Sequence, residues 1–422
     1  MTSPTMTEML QVFGRIGLYS FGGPAAQIAV MHKELAEDRP WLSEEGFLRA
    51  LSFCMLLPGP EAMQLATYAG WRMRGVAGGL LAGLLFVLPG ALVISLLVGL
   101  YAAFGQVPGV QAAFLGIKAA VVIIVVQALR KLAGKALHGL DAWLLASTGF
   151  AAIYAFNIPF PLIVLAAALY GFAKGGNGAE PAPQTAPGRR HKPVQQLLVW
   201  GGLWLAPLFA LSLLGADFLA DIGWFFAKLA VVTFGGAYAV LAYMSQTVVQ
   251  HYQWIEAGQM IDALGLAETT PGPLILVTQF VAMLSGLQTG GALLGLAAGA
   301  VALWATFMPC FLWIFLAAPY VEQITSHPRL GAALKAITAA VAGVILNLSL
   351  WFALHVLFGK VSVRSFGPVS LAVPEPATLN AAAVVLTAVA AALLLGLRWG
   401  MGRSLAALAA AGLALGQLPV FG

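Results

Sequence analysis

Two short stretches hold the residues of this chain best placed to do chemistry: Leu57-Pro58-Gly59-Pro60-Glu61 and Thr270-Pro271-Gly272-Pro273-Leu274. Each lies inside a segment apolar enough to cross a bilayer. Proline removes an amide hydrogen and clashes with the preceding turn, while glycine loosens the backbone. In hydrocarbon each unpaired backbone group costs several kcal/mol, so such a break persists only where protein or a polar cavity covers it. A broken helix also presents the amino terminus of a half-helix, whose free amide hydrogens carry a partial positive charge suited to an anion. Pro60 and Pro273 are placed as first-turn residues of those half-helices. The expected chemistry is anion binding near the midplane, because matched breaks in two halves of a membrane chain point to a transporter's substrate site. The structural alternative is that these residues only kink helices for close packing.

Other residues fall in with this chemistry. Phe21-Gly22-Gly23 and Phe234-Gly235-Gly236 break two further helices and offer backbone to the same cavity. Arg15 and Lys228 are matched cations, each six positions before Phe-Gly-Gly. A cation at the bilayer centre costs roughly 2.5–3.5 kcal/mol, so it faces a cavity or partner unless it snorkels to the interface. Lys118 and Lys335 lie deeper in their segments without a match; Lys118 aligns with Thr338, and Lys118 is carried as a reserve counter-charge. Glu61 follows the first Pro-Gly-Pro and Glu268 precedes the second, and both are expected proton-coupling carboxylates. The plainer readings are a helix-terminal carboxylate for Glu61 and an ion pair with Arg15 or Lys228 for Glu268. Gln64 shares the helical face of Glu61, and Thr269-Thr270 supplies hydroxyls at the second break. Gln127 and Asn347 match as well, although polar helix packing explains them equally.

Function of other classes finds no support. The six histidines show no metal-ligand spacing, and no P-loop, dinucleotide fingerprint or nucleophile elbow is present. No catalytic residue, metal or cofactor is therefore expected, and transport would be secondary or channel-like. No basic-aromatic patch suggests nucleic acid. Cys54 and Cys310 lie in apolar stretches and read as packing residues. The amino terminus lacks a basic region ahead of its first apolar stretch, so that segment is expected to remain in the mature protein.

The elements that must position these residues form an internal repeat. Residues 13–60 align with 226–273 at a constant offset of 213, placing Phe-Gly-Gly on Phe-Gly-Gly, Trp41 on Trp254 and Pro-Gly-Pro on Pro-Gly-Pro. The register resumes at an offset of 220, where Pro89 meets Pro309 and Pro108 meets Pro328. With 60% hydrophobic and 9% charged residues among 422, against about 25% charged in a soluble domain, this is an all-α polytopic membrane chain. Spans are expected at 9–31, at the Pro-Gly-Pro segment ending near Arg72 and Arg74, at 76–104 and 110–129, and as a hairpin over 142–173. A linker at 174–194 and an unmatched helix at 195–214 follow. The second copy reads as 217–247, 254–285, 290–317, 330–358, 378–397 and 404–420. The expected domains are thus 1–173, 174–194, 195–214 and 215–422, with about thirteen transmembrane segments in all. Six spans followed by one extra helix would turn the second copy upside down, giving two inverted repeats with broken helices near the midplane. With the amino terminus in the cytoplasm and the carboxyl terminus outside, twelve Lys and Arg fall in cytoplasmic loops and five outside, as the positive-inside rule requires.

Phe21-Gly22-Gly23-Pro24, Trp41-Leu42, Leu57-Pro58-Gly59-Pro60 with Gln64, and their echoes in the second half resemble the chromate ion transporter family in its long two-domain form. The resemblance covers nearly the whole chain. It implies a bacterial inner-membrane carrier that exports chromate, with sulfate, another tetrahedral dianion, as look-alike substrate. Sulfate or other anion uptake, a passive anion channel and a homodimeric assembly remain open beside it. Ala237 in place of Pro24 and Leu274 in place of Glu61 set the second copy apart from the first.

Two outcomes are expected from these readings. Cysteine labelling of Arg189→Cys and Arg364→Cys should reach the two positions from opposite sides of the membrane; labelling from one side would refute the inverted arrangement. Residues 176–190, poor in core-forming side chains, should tolerate a deletion of a few residues with transport intact, provided the positive charges are kept. Loss of flux in a correctly inserted deletion variant would assign the segment a specific role.

Overall fold

Apolar, glycine-studded segments of this kind bury backbone by closing helices and folding them back on one another, and the computed structural model shows this over residues 4–176, 192–234, 237–367 and 369–417. Most of the linker expected at 174–194, with the segment 176–190 inside it, and the glycines Gly235 and Gly236 fall outside the described residues. The first helix, α1 (Met6–Tyr19), starts at a capping box in which the Thr5 hydroxyl accepts from the Glu8 amide and the Glu8 carboxylate accepts from the Thr5 amide. It stops at Phe21-Gly22-Gly23, where both glycines take positive φ. There follow α2 (Gly23–His32), a π-helical turn (Lys33–Glu37) and α3 (Glu44–Leu56), capped by Ser43. Beyond Pro-Gly-Pro come α4 (Glu61–Phe104), α5 (Pro108–Ala136), α6 (Leu140–Tyr154) and α7 (Phe160–Lys174).

The second half repeats this order after an added helix, α8 (Pro193–Leu213): α9 (Asp217–Val232), α10 (Ala237–Gln246), a second π-helical turn (Thr247–His251) and α11 (Ala257–Thr269). After the second Pro-Gly-Pro stand α12 (Val277–Ala317), the short α13 (Val321–Thr325) and α14 (Pro328–Leu357). The last helices are α15 (Ala381–Ala391) and α16 (Met401–Gly416). A π-helical turn at the same place in both copies means that the duplication extends to a local irregularity. Such turns are rare and occur mostly singly within α-helices.

Neither α4 nor α12 is one long rod. The helix leaves helical dihedrals at Arg74-Gly75 and again at Gly290-Gly291, with φ of 64° at Gly75 and 82° at Gly291, a region open to glycine. A Cβ on Gly70 would meet the Gly78 carbonyl oxygen at 2.2 Å, and one on Gly78 would meet that of Gly70 at 2.3 Å. Residues eight apart on a straight helix lie about 12 Å apart, so the chain reverses here into a helical hairpin seamed by glycine. Gly286 against Gly295 does the same in the second copy. The span boundary expected near Arg72 and Arg74 is this reversal.

The contacts gather the chain into two units, each drawing on both copies of the repeat. The first holds residues up to Leu96, Gly171–Ala237 and Thr270–Leu334. In it α8 is fixed to α12 by indole hydrogen bonds, from Trp204 to the Ala305 carbonyl at 3.1 Å and from Trp304 to the Trp204 carbonyl at 3.2 Å. The second holds Leu97–Tyr170, Tyr238–Thr269 and the chain from Lys335 onward. There α5 and α16 meet through Gly116 and Gly412, and α6 and α14 through Gly149 and Gly343, each glycine lying against a carbonyl of the partner helix. Small residues that let helix backbones approach are the usual seams of membrane bundles.

Among the described residues, five helical stretches are long and apolar enough to cross a membrane: α4, α5, α8, the run Leu274–Thr325 and α14. They make this a multi-pass membrane protein. The hairpin expected over 142–173 forms as α6 and α7, broken at Asn157, which takes φ of 50°. At 15 residues each, these helices are shorter than the ~20 that a full crossing needs. One element was not expected. Strands β1 (Val361–Phe366) and β2 (Val369–Pro374) pair antiparallel, with Val361 opposite Pro374 and Gly367 in the turn at φ of 62°. β-Branched residues recur through both strands, a pattern suited to a hairpin.

The glycine seam in α4 yields a stability prediction. Gly78→Ala should destabilise the protein by about 1–3 kcal/mol, as overpacking does, because the new methyl would meet a backbone carbonyl. Gly14→Ala in α1, where a Cβ meets nothing within 4 Å, should be neutral or stabilising. Thermal midpoints of the two variants in detergent give the comparison; equal midpoints would refute the seam.

Candidate functional site

The site in the first unit is built from the helix breaks themselves. Each leaves backbone groups that no helix satisfies, and the two copies satisfy them for one another. The Gly59 amide donates to the Thr233 carbonyl at 2.9 Å, and the Gly272 amide donates to the Ser20 carbonyl at 2.9 Å. Gly59 and Gly272 correspond at the offset of 213, as do Ser20 and Thr233. Each Pro-Gly-Pro loop of one copy is thus held by the residue just before Phe-Gly-Gly in the other. The buried hydroxyls of Ser20 and Thr233 also behave alike, donating to Ile16 and Leu229 carbonyls at 2.6 Å each.

Side chains complete the cover. Gln64 Nε2 donates to the Pro58 carbonyl at 2.6 Å, and Gln27 Nε2 donates to the Gly272 carbonyl at 2.6 Å. A Cβ on Gly90 would lie 2.2 Å from the Pro271 carbonyl oxygen, and Cys310 Sγ lies 3.1 Å from the Cβ position of Gly59. Gly90 and Cys310 correspond at the offset of 220. Reciprocal contacts of this kind, in which i meets j′ and j meets i′, are those of a two-fold relation.

This geometry narrows which groups can meet an anion. The Gly59 and Gly272 amides are engaged with protein carbonyls. What remains are the first-turn amides of α4, since the first intrahelical bond runs from the Gln64 amide to the Pro60 carbonyl at 3.1 Å. Ala62 and Met63 precede it and have no backbone acceptor within the helix, while the Glu61 amide meets its own carboxylate. The second copy enters α12 differently, through a 3-10 turn (Leu274–Leu276) that closes from the Leu276 amide to the Pro273 carbonyl at 2.9 Å. Thr270, Pro271, Gly272, Pro273 and Leu274 are all buried, whereas Pro58, Pro60 and Glu61 are half-buried. The two loops are therefore unequal, and the first is the more accessible.

The remaining expected residues lie as follows. Phe21 is exposed and Phe234 half-buried. Arg15 is exposed and pairs with Glu34 at 3.6 Å, while Glu34 also accepts from Arg39 at 2.5 Å. Its counterpart Lys228 is exposed as well. Both matched cations thus sit on exposed faces of their helices. Glu268 does not pair with either; its Oε1 accepts from the Tyr238 hydroxyl at 2.6 Å in the second unit. Lys118, also in the second unit, pairs with Asp262 at 3.3 Å.

Sequence reasoning passed over Asp262, Tyr238, Gln27, Ser20 and Thr233. Ser20 and Thr233 could have been found, being hydroxyls at one offset directly before Phe-Gly-Gly. Asp262 could have been found as an acidic residue inside an apolar segment, which marks a functional candidate by default.

Two stretches of the chain, residues 7–172 and 220–417, match the family model described as Chromate transporter. One model fitting both halves accounts for the duplication. The chain is 30% identical over 388 residues to the Probable chromate transport protein of Synechococcus elongatus, covering 90% of this chain and 94% of that protein. It is 31% identical over 366 residues to the Chromate transport protein of Cupriavidus metallidurans, covering 82% of each. A Chromate transport protein of Pseudomonas aeruginosa is 32% identical over 356 residues, 80% of this chain and 79% of that protein. No solved structure matches the chain. A duplicated membrane chain with paired helix breaks, matched along most of its length to these proteins, belongs to the chromate transporter family.

Proposed function

We propose that this chain is a secondary transporter of tetrahedral oxyanions which exports chromate across a bacterial inner membrane, with sulfate as its look-alike substrate. The observation that supports it most is the reciprocal holding of the two Pro-Gly-Pro loops, Gly59 to Thr233 and Gly272 to Ser20. That arrangement fixes two broken helices against each other and leaves the first-turn amides of α4 to meet an anion. The relatives named as chromate transport proteins support the choice of anion. In this reading the two copies are inverted about an axis in the membrane plane, and alternating access moves one set of helices against the other.

Charge sets a further requirement. A helix terminus supplies about half a positive charge, so two cannot neutralise a dianion, and a side-chain cation must join them. Arg15 and Lys228 take this role as the matched basic pair, with Lys118 in reserve. The Arg15–Glu34 contact is loose and half-exposed, so the substrate can take Arg15 from it. Glu61, at the start of α4, and Glu268 are the carboxylates assigned to proton coupling.

Purified protein in liposomes, given labelled chromate or sulfate with and without a proton gradient and a membrane potential, provides the test. Saturable flux at carrier rates is expected; flux far above carrier turnover would mean a channel. Arg15→Gln and Lys228→Gln should each weaken chromate affinity at least tenfold, about 1.4 kcal/mol. Wild-type affinity in both would remove the anion site from α1 and α9. Glu61→Gln should keep binding and flatten the pH dependence of flux; an unchanged pH profile would remove Glu61 from coupling.

A further inference from the structure

The second unit holds a charged cluster that the Pro-Gly-Pro loops do not explain. Asp262, on α11, is 4% exposed. Its Oδ2 faces Lys118 Nζ of α5 at 3.3 Å and accepts from the Tyr101 hydroxyl, at the end of α4, at 2.8 Å. Its Oδ1 is buried with no hydrogen-bond partner among the described residues. A carboxylate with two donors on one oxygen and none on the other has room for a proton on the bare oxygen.

This cluster adjoins a cavity. Lys118 Nζ lies 3.3 Å from the Cβ position of Gly258, and Gly258 lines a cavity of about 550 Å³ within the same unit. The charged and titratable groups on its wall are Glu256, Glu375, His355 and Lys360. Glu256 also acts through space on Tyr101. Further along α11, Glu268 is bonded to Tyr238 of α10. With Asp262 ionised, Lys118 is neutralised and the wall adds no excess of positive charge, so an oxyanion has nothing to hold it. A proton on Asp262 removes one negative charge, frees Lys118 from its ion pair, and offsets the excess of carboxylates that Glu256 and Glu375 leave over Lys360 on the wall.

We propose that Lys118 and Asp262 form a proton-gated binding site for a tetrahedral oxyanion beside this cavity, with Asp262 taking the proton and Lys118 holding the anion. The inference rests on the transport reading for its ligand, and on geometry alone for its proton. Sign follows directly: affinity for a dianion rises as pH falls through the titration of Asp262, because protonation releases Lys118.

Sulfate is the probe, since its charge stays constant across the neutral range where that of chromate changes. Sulfate affinity of the full chain in lipid is measured against pH, and infrared difference spectra between two pH values report the carboxyl proton without any ligand. Wild type should bind sulfate more tightly at lower pH. Asp262→Asn should bind at least as tightly as wild type and without that slope, and should lose a pH-dependent carboxyl band. Lys118→Met should bind at least tenfold more weakly at every pH. Asp262→Glu, which keeps the charge should Asp262→Asn fail to fold, should retain the slope with a displaced midpoint. A wild-type slope or an intact carboxyl band in Asp262→Asn, wild-type affinity in Lys118→Met, or an unmoved midpoint in Asp262→Glu would overturn the proposal. Wild type that binds neither sulfate nor chromate would overturn the transport reading, and the infrared band would still decide whether Asp262 takes the proton.

Discussion

A helix broken inside a membrane must find partners for the backbone groups it releases, and the first unit answers this with one hydrogen bond used twice. The Gly59 amide reaches the Thr233 carbonyl and the Gly272 amide reaches the Ser20 carbonyl, both at 2.9 Å. Each bond joins a break in one copy to a break in the other. Neither copy satisfies its own loop in this way: Gly59, 39 residues beyond Ser20, meets the corresponding residue of the duplicate instead. The duplication is therefore not two folds side by side. It is a single interlocked structure, which agrees with each compact unit drawing on both halves of the chain.

The same constraint explains the residues around the loops. Gly90 comes close enough to Pro271 that a methyl there would meet its carbonyl at 2.2 Å. The corresponding Cys310 reaches Gly59 with its sulfur, a slightly larger side chain in the matched place. Gln27 and Gln64 supply the amide donors that the loop carbonyls of Gly272 and Pro58 need. A buried carbonyl left without a donor costs about 1–3 kcal/mol, so these glutamines belong to the loops as much as the prolines do.

How much of this was legible depended on what the repeat preserves. Pro-Gly-Pro and Phe-Gly-Gly stand out because each has a counterpart at a fixed offset and each breaks a helix for a local reason, and the span end near Arg74 is marked by its charges. The partners of the breaks were harder to read, because a hydrogen bond from Gly59 to Thr233 crosses 174 residues and no local pattern announces it. Asp262 was missed because its counterpart is Arg49; a reading weighted toward matched residues passes over one that a single copy acquired. Arg15 illustrates the opposite case. Its match with Lys228 is plain, yet Glu34, its partner in the structure, sits in the π-helical turn after α2 and became visible only with the fold. The β-hairpin was hidden by its setting, as six-residue strands between two apolar helices read as a loop.

The two copies have diverged at their loops. A strictly symmetric pair of loops would offer two equal sites, yet the chain departs from symmetry at the residue that follows each Pro-Gly-Pro. Glu61 opens α4 as an α-helix from a half-buried position, while Leu274 opens a wholly buried 3-10 turn before α12. Leucine at that place brings apolar surface that packs inward, and the carboxylate of Glu61 resists the same burial because it would have to leave water. The second unit diverges in the other direction, with Asp262 and Glu268 both on the second-copy helix α11 and Lys118 on α5 of the first. Accessible helix amides thus remain with the first copy, and buried carboxylates gather on the second. Duplication supplied the mutual cover of the breaks; the unequal residues placed on that common frame make the two copies chemically different.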